Sequence, residues 1–159
     1  MSAKVIRGRF KSDDKAPGAD PYGLPASAEI GLPVLDQAHA GLLARLNAAH
    51  RALTVGDEVK ARLQLESLRV DMATHFDIEE QIMQALGFDA VRDHVRRHAA
   101  HAARFDEICR ASIGRGALRV SDLELCFQGL IDEILRGDLD LKSHFQSMGS
   151  TRAMQRRGA

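Results

Sequence analysis

Apolar residues recur at steps of three and four along four stretches of this chain, the period of amphipathic α-helices. The first stretch, Pro33–Thr54, carries Leu35, Leu42, Leu46, Ala49 and Leu53 on one face. Pro33 suits a first helical turn, where its missing N–H is not needed. The second stretch, 58–86, carries Leu68, Met72, Phe76 and Met83 in register, with Asp57 placed to cap its start and Gly87 to stop it. The third, 90–112, carries Val95, Ala102, Phe105 and Ile108, with Asp89 as an N-cap candidate and Gly114 and Gly116 as breakers. The fourth opens at the capping-box sequence Ser121-Asp122-Leu123-Glu124. It continues through Phe127, Leu130, Ile134, Leu141 and Met148, with Gly137 as a weak spot inside it.

No alternating β-branched runs suggest strands, so the fold class is all-α. Short links between long helices predict an antiparallel up-down-up-down four-helix bundle. Residues 1–29 hold charge clusters, Pro17, Pro21 and Pro25 but no periodicity, and read as an irregular, flexible arm. The bundle spans 30–149, and 150–159 forms a short basic tail with Arg152, Arg156 and Arg157.

Composition narrows the function classes. With 22 basic and 22 acidic residues in 159, the chain has no global basic field, which argues against nucleic acid as a partner. Its apolar runs are too short for a bilayer and its start lacks a signal-peptide stretch, so no membrane partner and a cytoplasmic location are expected. Cys109 and Cys126 share no metal-type spacing and fall on inward stripes as small hydrophobes.

Coordinating side chains change the picture. His39, His75, Glu79, His94, His98 and His144 all fall on the inward stripes. The pairs His75/Glu79 and His94/His98 are four apart, on one helix face one turn from each other. Counting from the turns places most of them at one depth. Glu79 lies eight residues before Gly87 and His94 seven after; His39 lies seventeen before Gly56 and His75 nineteen after. The latter mismatch is about 3 Å of helix. The last link is less tidy: His94 is nineteen residues before Ile113, whereas His144 is twenty-two after Asp122. Burying this many polar groups without a partner costs several kcal/mol, which a metal relieves. Imidazole with carboxylate and no thiolate suits iron, manganese or zinc, and six ligands favour two metals bridged by Glu79. Of the remaining histidines, His50 reads as a rim residue and His101 as core packing beside the site.

At these residues the chain resembles the hemerythrin family, in particular the single-domain bacterial hemerythrins. The resemblance covers roughly residues 30–148. It runs through Ile30-Gly-Leu-Pro-Val-Leu-Asp36 with His39, then His75-Phe-Asp-Ile-Glu79-Glu80-Gln-Ile-Met83, Gly87-Phe88, His94 with His98, and Leu141-Lys-Ser-His144-Phe145. It implies a non-haem di-iron centre, Fe2+/Fe3+ with an oxo or hydroxo bridge, that binds O2 reversibly. His94, His98 and His144 would hold one iron, His39 and His75 the other, and Glu79 would bridge. Phe76 and Leu141 match positions lining the O2 pocket. Two positions depart from the family pattern. A bridging Asp is expected five residues after the fourth-helix His, where this chain has Gly149, and a Trp four residues before it, where this chain has Asp140. Asp140 is therefore a candidate replacement carboxylate.

The leading expectation is an O2-binding protein for carriage, storage or sensing, with NO or peroxide as further small ligands. Loss of the bridging Asp opens coordination positions and makes a di-iron peroxidase or oxidase the first alternative. A signalling module, its arm or tail reporting ligation to a protein partner, is the second. Zinc or single-metal occupancy is compatible with the same donors.

Overall fold

The structure is a computed structural model that describes residues 20–157, with side chains described through Met148. Residues 1–19, most of the expected arm, and the side chains of the basic tail lie outside the described residues. Among those described there are helices and no strands. Helix α1 spans Pro33–Thr54, α2 Glu58–Ala85, α3 Val91–Gly114, α4 Val120–Glu133 and α5 Leu139–Arg157. Between α4 and α5 the chain does not break but widens into one π-helical turn, Ile134–Asp138. Helix α1 packs on α2, α2 on α3, α3 on α4 and α1 on α4, which closes the bundle. None of the described helices is long and apolar enough to cross a membrane.

Local chemistry sets the boundaries. Asp57 accepts from the Lys60 N–H at 3.0 Å and starts α2. Gly56 and Gly87 adopt φ of 80° and 66°, a left-handed conformation that a side chain disfavours, and so end α1 and α2. Asp89 is not the cap of α3: Ala90 holds that place without a side-chain bond. The cap of α4 is also shifted from Ser121. Asp122 reaches back to the Arg119 N–H at 2.8 Å and is itself held by Arg115 at 2.6 Å. Gly149 does not end the last helix, which runs on to Arg157. A lone glycine costs a helix only about 1 kcal/mol relative to alanine.

Residues 20–29 belong to the packed structure. Asn47 pairs with the Tyr22 backbone in both directions, accepting from its N–H at 3.0 Å and donating to its carbonyl at 2.9 Å. The Tyr22 ring is buried against His50 and Phe127. Further along, Asp36 accepts from the Ile30 and Gly31 N–H groups and fixes the entry into α1.

The core is divided. The larger apolar cluster includes Leu42, Leu46, Leu68, Met72, Phe76, Leu130 and Ile134. A smaller one unites Ile30, Leu35, Met83 and Leu141, three of which have no exposed surface. Burying each such side chain fully contributes about 1.5–3 kcal/mol. On α1, His39 falls between Leu35 and Leu42, and on α2 Glu79 falls between Phe76 and Met83. Along the π turn and α5, Asp138 falls between Ile134 and Leu141. A polar layer therefore lies between two apolar ones.

Candidate metal centre

That polar layer is built from four imidazoles and two carboxylates. His39 comes from α1, His75 and Glu79 from α2, His94 and His98 from α3, and Asp138 from the π turn. All six are buried, Glu79, His94 and Asp138 completely. Two sets of donor atoms are close enough together to hold a metal ion: Glu79, His94, His98 and Asp138, and His39, His75 and Asp138.

The Nε2 atoms point inward. Those of His98, His94 and His75 lie 3.3, 3.5 and 3.6 Å from Glu79 Oε2. His39 Nε2 is 2.9 Å from Asp138 Oδ2 and 3.2 Å from His75 Nε2. Donors bound about 2.1 Å from a shared ion are separated by about 3.0 Å at right angles and about 3.4 Å tetrahedrally. The observed spacings fall around those edges. Both oxygens of Glu79, Asp138 Oδ1, and Nε2 of His94 and His98 have no protein hydrogen-bond partner, and Asp138 Oδ2 has His39 Nε2 beside it. Buried polar atoms are normally paired. The convergence of these orphans on one point suits a cation.

A ligating imidazole must be neutral and a ligating carboxylate ionised, and in the metal-free chain His39, His75 and Glu79 meet that requirement while Asp138 and His98 are shifted against it. Burial lowers the pKa of His39, against the pull of Glu79, and lowers that of His75 to about 4, with His39 adding to the effect. For Glu79, burial alone would raise the pKa, but contacts from His94 and His98 outweigh it and hold the carboxyl well below its ordinary range. Asp138 goes the other way: burial, then the neighbouring Glu79 charge, push it well up. His98 is raised, burial being outweighed by Glu79 and Glu80. Its Nδ1–H donates to Glu80 Oε1 at 2.8 Å, which leaves Nε2 facing the centre. Phe76 stacks on the His98 ring at 3.8 Å and fixes its plane.

The centre differs from the sequence expectation on α5. His144 is not brought to it. Its Nε2 donates to the Leu86 carbonyl at 3.1 Å, and its ring sits edge-on to Phe88. Asp140, the candidate replacement carboxylate, is exposed; Asp138, two residues earlier, is the buried one. Leu141 belongs to the smaller apolar cluster and Phe76 to the larger, on either side of the polar layer. His101 lies under Phe76, and burial, then His98, lower its pKa to about 4. Burial pushes the Cys126 thiol up to about 12, as for a cysteine that packs as a hydrophobe.

Two carboxylates escaped the sequence reading, Asp138 and its neighbour Glu133, which is 8% exposed. The depth count could have found the first. Asp138 is sixteen residues after Asp122, against fifteen from His98 to Ile113, a closer match than His144. No family model, curated protein or solved structure matches the chain.

Proposed function

We propose that this bundle holds two metal ions, iron being the metal it serves with, and that O2 is its ligand. The observation that carries the reading is the set of buried Glu79 and Asp138 oxygens, most of them unpartnered, faced by four buried imidazoles. His94 and His98 hold one ion, His39 and His75 the other, and Glu79 and Asp138 lie between the pairs as shared carboxylates. Imidazole and carboxylate donors inside a four-helix bundle suit iron. The hemerythrin resemblance of the HFxxEExxM and HxxxH segments adds O2 as ligand. The antiparallel up-down-up-down order belongs to the same reading, and the short turns at Gly56, Gly87 and Gly116 support it.

Iron in such a centre supplies reversible, redox-linked O2 binding. The chain supplies everything around that chemistry. Burial keeps His39 and His75 neutral, so each offers a lone pair without first losing a proton. Glu80 orients His98 through Nδ1. Phe76 and Leu141, from the two apolar clusters, wall the layer against water. The peroxidase or oxidase alternative drew on a missing carboxylate, and the carboxylate of Asp138 in the layer supports the O2-binding reading over it.

Metal analysis and optical spectroscopy test the reading. Protein loaded anaerobically with Fe(II) should hold two irons per chain, and admitting O2 should produce oxygen-to-iron absorption that fades on deoxygenation. One ion per chain, a preference for zinc, or a spectrum indifferent to O2 would overturn it.

A further inference from the structure

Glu133 is the last residue of α4, one π turn ahead of Asp138. Its side chain is about nine-tenths buried, and its Oε1 has no hydrogen-bond partner. That oxygen faces the centre, 3.7 Å from His98 Nε2. The oxygen stands just outside the tight donor groups, on the His94/His98 side. On its other side Glu133 lines an open groove of about 360 Å³ with Arg97, Arg104 and Arg136, none of which is hydrogen-bonded to it among the described contacts.

The backbone around it is shaped for this carboxylate. A Cβ placed on Gly137 would lie 2.6 Å from Glu133 Oε1 and 3.1 Å from His94 Cε1. A side chain there would push the Glu133 carboxylate from its present position and crowd His94. The π turn places the two carboxylates, five residues apart, toward one point. Five residues along an α-helix rotate a side chain by about 140° away, whereas an i to i+5 turn nearly restores its direction. Packing alone gives no reason to aim an unpartnered carboxylate oxygen at a layer already rich in them, because like charges at close range oppose each other.

We infer that Glu133 is a further metal ligand, a terminal carboxylate on the ion held by His94 and His98, in space that Gly137 keeps clear. The inference rests on the dinuclear reading above and adds a residue to it. It makes the two ions unlike: one is closed by Glu133 at the groove, while the His39/His75 ion has no such third side chain among the described residues. Glu133, at the end of α4, and Asp138, at the end of the π turn, then supply the carboxylates that complete the centre.

Anaerobic Co(II) titration, followed by visible absorption with a competing chelator, separates the two parts. The wild-type chain should take up two Co(II) ions tightly. Glu133→Gln, nearly the same shape, should keep one tight ion and bind the second at least tenfold more weakly. Gly137→Ala should reproduce that loss with Glu133 intact, by displacing its carboxylate. Glu133→His, a different shape but again a donor, should recover two tight ions, which a merely structural role would not allow. The exposed Asp140→Asn serves as the unchanged control. Wild-type affinity for both ions in Glu133→Gln would overturn the role of Glu133 and leave the dinuclear reading standing. Fewer than two ions in the wild type would overturn both. Should Glu133→Gln lose helical circular dichroism, Glu133→His decides: two tight ions support the assignment, and one overturns it.

Discussion

His39 Nε2 and Asp138 Oδ2 stand 2.9 Å apart, with each side chain 1% exposed. One comes from the first helix and the other from a π turn ninety-nine positions later. This pair ties α1 to the π turn at the polar layer.

Asp138→Asn should therefore divide function from stability. Without the shared carboxylate, metal uptake should fall from two ions to fewer than one per chain. The metal-free protein should become more stable at pH 7, by about 1–3 kcal/mol, because a poorly solvated carboxylate has been removed. The sign follows from its raised pKa. The folded chain keeps a proton on Asp138 that the unfolded chain loses above its ordinary value of 3.8, so the penalty grows as pH rises from there toward neutrality. Urea melts of metal-free wild type and variant at pH 5 and pH 7 check this. The gap between them should widen at the higher pH.

His144→Ala should leave metal stoichiometry at the wild-type value. The loss of its bond to the Leu86 carbonyl should cost about 1 kcal/mol of stability. Equal metal content with a slightly lower melting temperature is the expected result. A drop to one ion would place His144 back in the centre.

The contrast between His144 and Asp138 explains what the sequence could and could not convey. Spacing of three and four located α1, α2 and α3, together with Asp57 and the glycine turns at 56 and 87, because those features act locally. It also placed His39, His75, Glu79, His94 and His98 at one depth, because each lies on an undistorted helix. Beyond Glu133 that reasoning holds for Ile134 and Leu141, both buried, but not for His144. A π turn shifts every later residue around the helix, so a stripe extrapolated through it aims His144 inward when the chain turns it to Leu86. Only Gly137 hinted at the irregularity. The Gly137-Asp138-Leu139-Asp140 run reads as solvated because sequence alone does not tell which of its two carboxylates is enclosed.

Glu80 and Arg97 should affect metal affinity in opposite directions. Glu80 accepts the His98 Nδ1–H and frees Nε2 for a metal, so Glu80→Ala should weaken binding by roughly 10- to 100-fold. Arg97 Nη2 instead donates to His94 Nδ1 at 2.9 Å. That contact requires Nδ1 to be unprotonated and so favours a proton on Nε2, the atom a metal needs. Arg97→Gln, whose carbonyl can accept from Nδ1–H, should tighten binding by about tenfold. Chelator competition on both variants measures the two signs.

His101 provides an acid sensitivity outside the donor set. Its pKa is lowered from 6.5 to about 4. The unfolded chain thus binds a proton between those values that the folded chain refuses, so stability present above pH 6.5 is lost as pH falls toward 4. The full contribution is on the order of 3 kcal/mol. In metal-free protein, His101→Asn should flatten this part of the profile between pH 6.5 and 4.5, seen as a smaller shift in urea midpoint.

The π turn carries one extra residue relative to the α-helical ladder, and this gives the rod from Val120 to Arg157 two phases. Before the turn, the inward face is set by Leu123, Cys126 and Leu130; after it, Leu141 takes up the inward face in a new register. A single-residue deletion within Ile134–Asp138 would let the rod run in one phase throughout. It would straighten the hydrogen bonding and leave Leu141 and His144 facing as they do now, whereas an α-helical turn that kept all five residues would rotate them by about 100°. The centre's composition is in that sense a matter of backbone winding as much as of side-chain identity, since the same residues wound as plain α-helix would face other directions.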